Sequence, residues 1–351
     1  MKFSWKQDKP IFVLAPMADV TDRAYREMVI RYSPEITAMW TEFVSCDGLA
    51  HEIGQWNLLR DLQYHEFERP LVAQLFGSRP ENFEKAARLC VELGFDGIDI
   101  NMGCPDKTIN NQGAGAWLIK TPELAQEVIV ATKRGIGNSG IPLSVKTRIG
   151  WAHDETDTWI PSILDCGIDL LSVHARTRKE MSDPPPHWDV MKKVVEKIVK
   201  PYGIPVLANG GMLCLDDANS VMQETGANGA MIGKGTFGTP WFFDPSLHSH
   251  ELLASVSKDK KLQTAIEHTK LWEKYMGDVG PGCAQTELVF GDVKKMAPPF
   301  VIKGKSFAIM KKNFRCYINN FAGAKELRNE IMELSTPQDV IQRIEKELQG
   351  S

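Results

Sequence analysis

Short runs of β-branched and aliphatic residues recur along the first two thirds of this chain, separated by segments with helical periodicity or helix-start signals. The runs are IFVLAP (11–16), TAMWTEFV (37–44), LVAQLFG (71–77), GIDIN (97–101), LSVKTR (143–148), LLSVHAR (170–176), PVLANGG (205–211) and GAMIG (229–233). Between them, segments such as RPENFEKAARLCVELG and TPELAQEVIVATKRG combine a Pro or Thr start, an amphipathic middle and a glycine stop, the order in which helices begin and end. Eight alternations between residues 11 and 233 predict an α/β fold, a (β/α)8 TIM barrel, whose usual size is about 250 residues. A doubly wound open sheet is the alternative. It is weakened because no GxGxxG follows the first strand.

A barrel of this kind carries its chemistry where the strands end. The residues there are Pro16, Met17 and Ala18; Glu42; Gln74; Asn101; Lys146 with Arg148; His174 with Arg176; Asn209, Gly210 and Gly211; and Gly233, Lys234 and Gly235. Singly, each has a structural explanation: Gln74 caps a loop, Lys146 is a solvated charge, His174 is a satisfied core histidine. Together on one face they point to a ligand. The glycines ending the last two strands let backbone N–H groups approach an anion, and Lys234 adds positive charge, which suits a phosphate. Glycine turns also end strands for conformational reasons alone. Gln74, Lys146 and His174 offer donors and acceptors for a polar heteroaromatic ring. A phosphate at one end and an electron-accepting ring at the other describe flavin mononucleotide (FMN).

The stretch NMGCPDKTINNQGAGAWLI (101–119) places a cysteine between glycine and proline directly after a predicted strand. Cys104 is either a small apolar turn filler or a thiol presented to a ligand, with Gly103 allowing close approach and Pro105 fixing the backbone. Seven scattered cysteines with no CxxC pair argue against a disulfide framework and against a zinc or iron–sulfur site, so no metal is expected. The N-terminus MKFSWKQDKP lacks the apolar core of a signal peptide, and no apolar run approaches a membrane span. The expectation is a cytoplasmic protein with no membrane partner.

A net charge of −4 excludes a general polyanion binder, so any nucleic-acid contact needs a local basic patch. One exists. From about residue 246 the strand pattern stops and helices are predicted over 251–276, 302–320, 323–334 and 337–349. Within this part, residues 303–328 carry Lys303, Lys305, Lys311, Lys312, Arg315, Lys325 and Arg328 against Glu326 alone. The interleaved Phe307, Phe314, Tyr317 and Phe321 fit a helix core. The basic face is either simply solvated or tracks a nucleic-acid backbone.

APMADVTDRAYR (15–26), the segment 101–119, VKTRIGW (145–151), VHARTR (173–178), ANGG (208–211), IGKGTFGTPWFF (232–243) and MKKNFRCYINNFAGAKELR (310–328) together resemble the tRNA-dihydrouridine synthases. The resemblance implies an FMN-dependent, NADPH-driven reductase that saturates the C5–C6 bond of uridine in tRNA. It also implies a catalytic FMN-binding barrel over 1–245 and an all-helical tRNA-binding domain over 246–351. Pro16, Met17 and Ala18 would lie against the flavin ring, and Gln74, Lys146 and His174 would bond its polar edge. Asn209, Gly210, Gly211, Gly233 and Lys234 would hold the phosphate, Asn101 would position the uracil, and Cys104 would be the general acid. Substrate contacts would come from Lys107, Arg148, Arg176, Arg178, Lys311, Lys312 and Arg315, with the loop after Cys104 ordering as RNA arrives.

This sequence departs from the family pattern in three places. Gly211 stands where Asp is more usual and Lys234 where Arg is, KEMSDPPPHW (179–188) replaces a shorter turn, and residues 278–300 match nothing familiar. Two rival readings are an FMN barrel acting on a free small molecule, of dihydroorotate or ene-reductase type, and a non-catalytic RNA-binding protein.

Overall fold

The computed structural model describes residues 3–33 and 35–350. Nine short strands are all parallel: β1 (Ile11–Leu14), β2 (Ala38–Trp40), β3 (Val44–Ser45), β4 (Leu71–Phe76), β5 (Gly97–Met102), β6 (Leu143–Arg148), β7 (Leu170–His174), β8 (Val206–Asn209) and β9 (Gly229–Ile232). The sheet closes on itself because β9 pairs with β1, from Ile11 opposite Gly229 to Leu14 opposite Ile232. It is therefore the predicted eight-fold barrel, with one run divided. β2 pairs with β1 and β4, whereas β3 pairs with β4 alone.

The division has a cause. Between the two pieces Thr41 turns its hydroxyl onto the Glu42 carbonyl at 2.8 Å and accepts the Gln74 N–H at 3.2 Å. Glu42 is thereby released from the ladder. Its carboxylate accepts the Asp19 N–H at 2.5 Å and binds the Lys305 ammonium at 2.7 Å.

The helices fall where the start and stop signals put them. Pro80–Glu92 and Pro122–Ile136 each have proline in the first turn, where its missing N–H costs no hydrogen bond. They pack so closely that a Cβ on Gly135 would overlap the Glu84 carbonyl. The barrel interior is filled by Val13, Trp40, Val72, Leu207 and Met231. Trp5 stacks on Trp40 with ring centroids 5.3 Å apart, which stoppers the end where the strands begin.

Beyond the barrel, the helices Lys258–Met276, Lys311–Tyr317, Ala324–Glu333 and Pro337–Gln349 bury an apolar cluster of their own, joined by Ala24 and Met28 of the helix Arg23–Tyr32. Phe314 and Tyr317 are buried there, with Phe307 and Phe321 packed against them, as the helix-core reading requires. Thr336 caps the last helix by accepting the Asp339 N–H at 3.2 Å.

This C-terminal part is not wholly helical. Residues 278–300 include an antiparallel hairpin, β10 (Glu287–Phe290) and β11 (Val293–Met296), turning at Gly291 with φ +54°. Leu288 and Phe290 are buried in the core cluster of the barrel's outer layer. Tyr64 donates its N–H to Val289 and accepts that of Gly291, both at 3.0 Å. The unfamiliar segment is thus a strap fastened to the barrel wall. The helix predicted from 302 begins only at Phe307, because Lys305 is drawn out toward Glu42.

Candidate active site

A cavity of about 390 Å³ opens at the C-terminal ends of the strands and is lined by Pro16, Met17, Lys146, Arg148, His174, Arg176, Asn209, Gly210, Gly211, Gly233 and Lys234. Ala18 is exposed beside it and is not on its wall. A larger hollow, about 600 Å³, lies at the opposite end against Trp5, Lys6, Glu196, Lys200 and Asn228. It borders the starts of the strands, where a parallel barrel carries stability rather than chemistry, and it holds none of the predicted residues.

Two of the cavity's glycines are required by geometry. Gly210 and Gly211 have φ +119° and +69°, and a Cβ there would lie 2.9 Å from His174 Cδ2 and 2.8 Å from Pro186 Cγ respectively. Side chains are excluded from this turn, so its backbone stays open to a ligand. Lys234 donates to Ser182 Oγ at 2.8 Å, and Arg176 Nε donates to the Pro184 carbonyl at 2.5 Å. The loop KEMSDPPPHW therefore forms the outer wall of the cationic end. Sequence reading missed Ser182, although the loop's departure from the family pattern marked the place. Asn209 donates to the Met231 carbonyl at 2.7 Å and so locks β8 to β9.

His174 lies 3.1 Å from Arg176 Nη1. Burial, followed by Arg148, Lys146 and Arg176, holds its pKa well below the usual range, which leaves a neutral imidazole. Burial and then Arg148 lower Lys146 to about 8. Burial raises Cys104 above its ordinary value, which keeps the thiol protonated.

Behind the wall runs a buried polar chain. Ser144 Oγ donates to Asp99 at 2.5 Å, Gln74 Nε2 donates to the other oxygen of Asp99 at 2.6 Å, and Asn101 Nδ2 donates to Gln74 Oε1 at 3.0 Å. Asn101 Oδ1 then accepts the N–H groups of Gly103 and Cys104 at 3.1 and 2.9 Å. Gln74 is fully buried with both ends of its amide engaged, so it stands behind the cavity instead of on it. Asn101 likewise shapes the cysteine turn. Asp99, raised to about 6 by burial, went unremarked in the sequence, yet a carboxylate two residues before Asn101 on one strand must share its face.

The loop after Cys104 carries its own hydrogen bonds. Asp106 caps the short helix Lys107–Asn110, Asn110 Nδ2 donates to the Cys104 carbonyl at 2.9 Å, and a Cβ at Gly115 would lie 3.0 Å from the same oxygen. Arg148 is a brace of this loop: Nε donates to the Gly103 carbonyl at 2.7 Å, and Nη1 to those of Thr177 and Met181 at 3.0 and 2.7 Å. Arg178 Nε reaches Asn110 Oδ1 at 3.0 Å. Lys107 is exposed.

The basic stretch divides. Lys305 is buried between Glu42 and Asp61 at 2.7 and 3.7 Å, Lys311 caps the Met332 carbonyl and Arg328 that of Ile318. Lys303, Lys312, Arg315 and Lys325 remain exposed. Lys312 lies 3.8 Å from Asp19, which brings this face to the cavity rim. Cys214, Asp217 and His250 have ligand atoms within 4.8 Å of one another, with Asp217 already bonded to the Leu213 N–H and to His250 at 2.8 and 3.0 Å. No helix among the described residues is long and apolar enough to cross a membrane.

The family model for dihydrouridine synthase matches residues 13–350. A probable tRNA-dihydrouridine synthase 2 of Bacillus subtilis (strain 168) is 33% identical over 96% of this chain and 94% of its own length. A probable tRNA-dihydrouridine synthase of Staphylococcus aureus (strain COL) is 31% identical over 92% and 89%. Among solved structures, a histamine dehydrogenase from Rhizobium sp. 4-9 aligns with a TM-score of 0.49 at 12% identity, over 74% of this chain and 48% of that one, a likeness too distant to argue from. The family match runs unbroken from the first barrel strand to the last helix and takes in the glycine cradle, the Cys104 turn and the C-terminal helices alike; the chain belongs to the dihydrouridine synthase family.

Proposed function

We propose that the protein reduces the C5–C6 double bond of uridine in tRNA, with FMN in the rim cavity, NADPH as the reductant and Cys104 as the proton donor. The family assignment and the names of the relatives support the reaction class and the RNA substrate. The observation that carries the mechanism is the half-buried Cys104 thiol held in a turn that Asn101 and Arg148 brace, Arg148 being itself part of the cavity's lining.

The cavity suits an FMN-sized group. Its cationic end offers Lys234, Arg176 and a glycine turn that admits no side chain, a setting for phosphate. Pro16 and Met17, with Ala18 at the edge, present an apolar face for a ring. Lys146 and the neutral His174 would bond the ring's polar edge, and Gln74 would act from behind through Asn101. FMN, when bound, supplies the hydride. Hydride addition at C6 leaves C5 to be protonated, and Cys104 Sγ gives that proton. With a reference pKa near 8.5 raised further by burial, the thiol is loaded at neutral pH, and transfer from a positioned acid contributes about 10²- to 10⁴-fold.

A uridine in folded tRNA reaches such a rim only when turned out of its stack. Residues 1–245 form the catalytic part in this reading, with the strap of residues 278–300 added to its wall, and the helices from 246 onward hold the tRNA. Exposed Lys107, Lys312 and Arg315, with Arg178, meet the RNA phosphates, whereas Arg176, buried in the cavity wall, serves the cofactor end instead of the substrate. Arg148 and Lys311 support that surface from within. A tRNA substrate places the protein in the cytoplasm.

The test is direct. Purified protein should be yellow with a flavin absorption band, and with NADPH and an unmodified tRNA transcript it should yield dihydrouridine by mass spectrometry. Colourless protein, or turnover of free uridine as fast as that of tRNA, would overturn the reading.

A further inference from the structure

We infer that Lys120 and Arg178, each laid on an indole ring at the rim, form a clamp for the RNA phosphates flanking the reacting uridine, with Trp117 and Trp151 as the residues that position it. The inference rests on the RNA-substrate reading above, in which Arg178 already meets phosphate, and extends it to Lys120 and to the two indoles that hold both cations in place.

Loops from three consecutive strand ends meet here. The loop after β5 brings Trp117 and Lys120, the loop after β6 brings Trp151, and the loop after β7 brings Arg178. The last two are zipped by backbone bonds, Arg178 N–H to the Gly150 carbonyl and Lys179 N–H to that of Trp151, both at 2.9 Å. The two indoles meet edge to face, with centroids 5.6 Å apart and planes at 88°. Lys120 Nζ lies 4.2 Å from the Trp117 ring centre and 5.1 Å from that of Trp151, and the Arg178 guanidinium carbon lies 4.8 Å from the Trp151 centre.

Two cations thus crowd one indole, and among the described residues neither has a carboxylate within 4.0 Å. Arg148 beside them is spent on three carbonyls, whereas Lys107 and Lys179 stand exposed without a ring beneath them among the described residues. Like charges held together repel, and the ring attraction fixes where each charge sits without neutralising it. An anion would neutralise both. Arg178 spends only Nε, on Asn110, which leaves its terminal nitrogens for a two-point contact with phosphate oxygens, and Lys120 adds a point charge.

The clamp is also coupled to the acid. Asn110, which holds Arg178, donates its amide to the Cys104 carbonyl at 2.9 Å, so a phosphate on Arg178 sits two hydrogen-bonded steps from the cysteine turn. An extruded nucleotide carries a phosphate on each side. Gripping one of them here would fix its base against Cys104.

The test uses full-length, flavin-loaded protein and an unmodified tRNA transcript, with binding measured over a salt series in the absence of NADPH. Lys120→Ala should weaken binding several-fold and flatten the slope of log affinity against log salt by about 0.7 to 0.9, the value of one phosphate contact. Lys120→Arg should restore the slope. Trp117→Ala should reproduce the loss, and Trp117→Phe, which keeps a ring under the ammonium, should not. A purely structural role would alter thermal stability and leave the slope alone. Unchanged slopes in both alanine variants overturn the inference. Dihydrouridine formation, read separately, distinguishes it from its parent: a Lys120-dependent slope without product keeps the clamp and removes the reductase reading, and product with an unchanged slope does the reverse. A wild-type protein that binds no RNA removes both.

Discussion

The side-chain oxygen of Asn101 accepts the backbone N–H of Cys104 at 2.9 Å while its nitrogen donates to Gln74 at 3.0 Å. One amide thereby hangs the thiol-bearing turn on a buried chain that ends at Asp99 and Ser144. Cys104→Ala should leave flavin bound and reducible by NADPH but lower dihydrouridine formation by about 10²-fold or more. Asn101→Ala should keep the thiol and still slow product formation about 10- to 100-fold, because a displaced acid is a poor one. Stopped-flow flavin reduction and product mass spectrometry separate the two steps. Wild-type yield from Cys104→Ala would require another acid.

Lys146 titrates near pH 8 because burial and Arg148 both disfavour its charge. It is protonated below that pH and neutral above it. FMN affinity of the unloaded protein should therefore fall as pH rises through about 8. Lys146→Arg should move the fall to higher pH, since a guanidinium does not lose its proton there. Flavin titrations from pH 6 to 10 read this, and an identical pH profile in the arginine variant would remove Lys146 as its source.

Lys305 and Glu42 are both buried and 2.7 Å apart, with side chains 8% and 7% exposed. Removing one partner strands the other. Lys305→Met should destabilise the protein by about 3 to 5 kcal/mol, and adding Glu42→Gln should recover much of the loss. Urea unfolding of the two single variants and the double variant measures the coupling. Additive effects would mean the contact contributes nothing.

Lys312 and Arg315 are exposed, whereas Lys311 is tied to the Met332 carbonyl. Reversing the charge of the first two should flatten the salt slope of tRNA binding by about 1.4 to 1.8 and leave flavin reduction unchanged. Lys311→Glu should instead lower the melting temperature. Undiminished tRNA affinity in the double reversal would take the helical part out of the RNA surface.

Gly210 at φ +119° faces His174. Gly210→Ala should reduce flavin occupancy by straining the turn, about 1 to 3 kcal/mol for such a conformation, and by pushing the imidazole aside. The ratio of flavin absorbance to protein absorbance in the purified variant reports it.

The barrel was legible because its strands are locally coded: IFVL or LSVKTR is strand-like wherever it stands, and the polar residues that follow reveal which end is functional. What was hidden depends on partners distant in sequence. The break between Trp40 and Val44 exists to free Glu42 for a lysine near residue 300, and no local pattern shows that. Gln74 looked like a ligand contact because nothing in LVAQLF reveals that Asp99 and Asn101 will close around it. Lys305, Lys311 and Arg328 read as surface charge because a basic residue drawn inward by a carbonyl or carboxylate is spelled like one left in water. The hairpin at 287–296 did carry a signal, two short runs with apolar residues around a Gly-Asp turn, but it was too short to stand out among helices.

Trp5 and Trp40 close the floor of the barrel, and the residues proposed to hold the flavin gather, among the described residues, on one cavity at its rim. Whatever delivers electrons and whatever receives them must come and go by the same opening, one after the other. Such traffic gives parallel double-reciprocal lines in initial-rate kinetics, and it makes a tightly held RNA, by lingering on the threshold, an inhibitor of the next reductant to call.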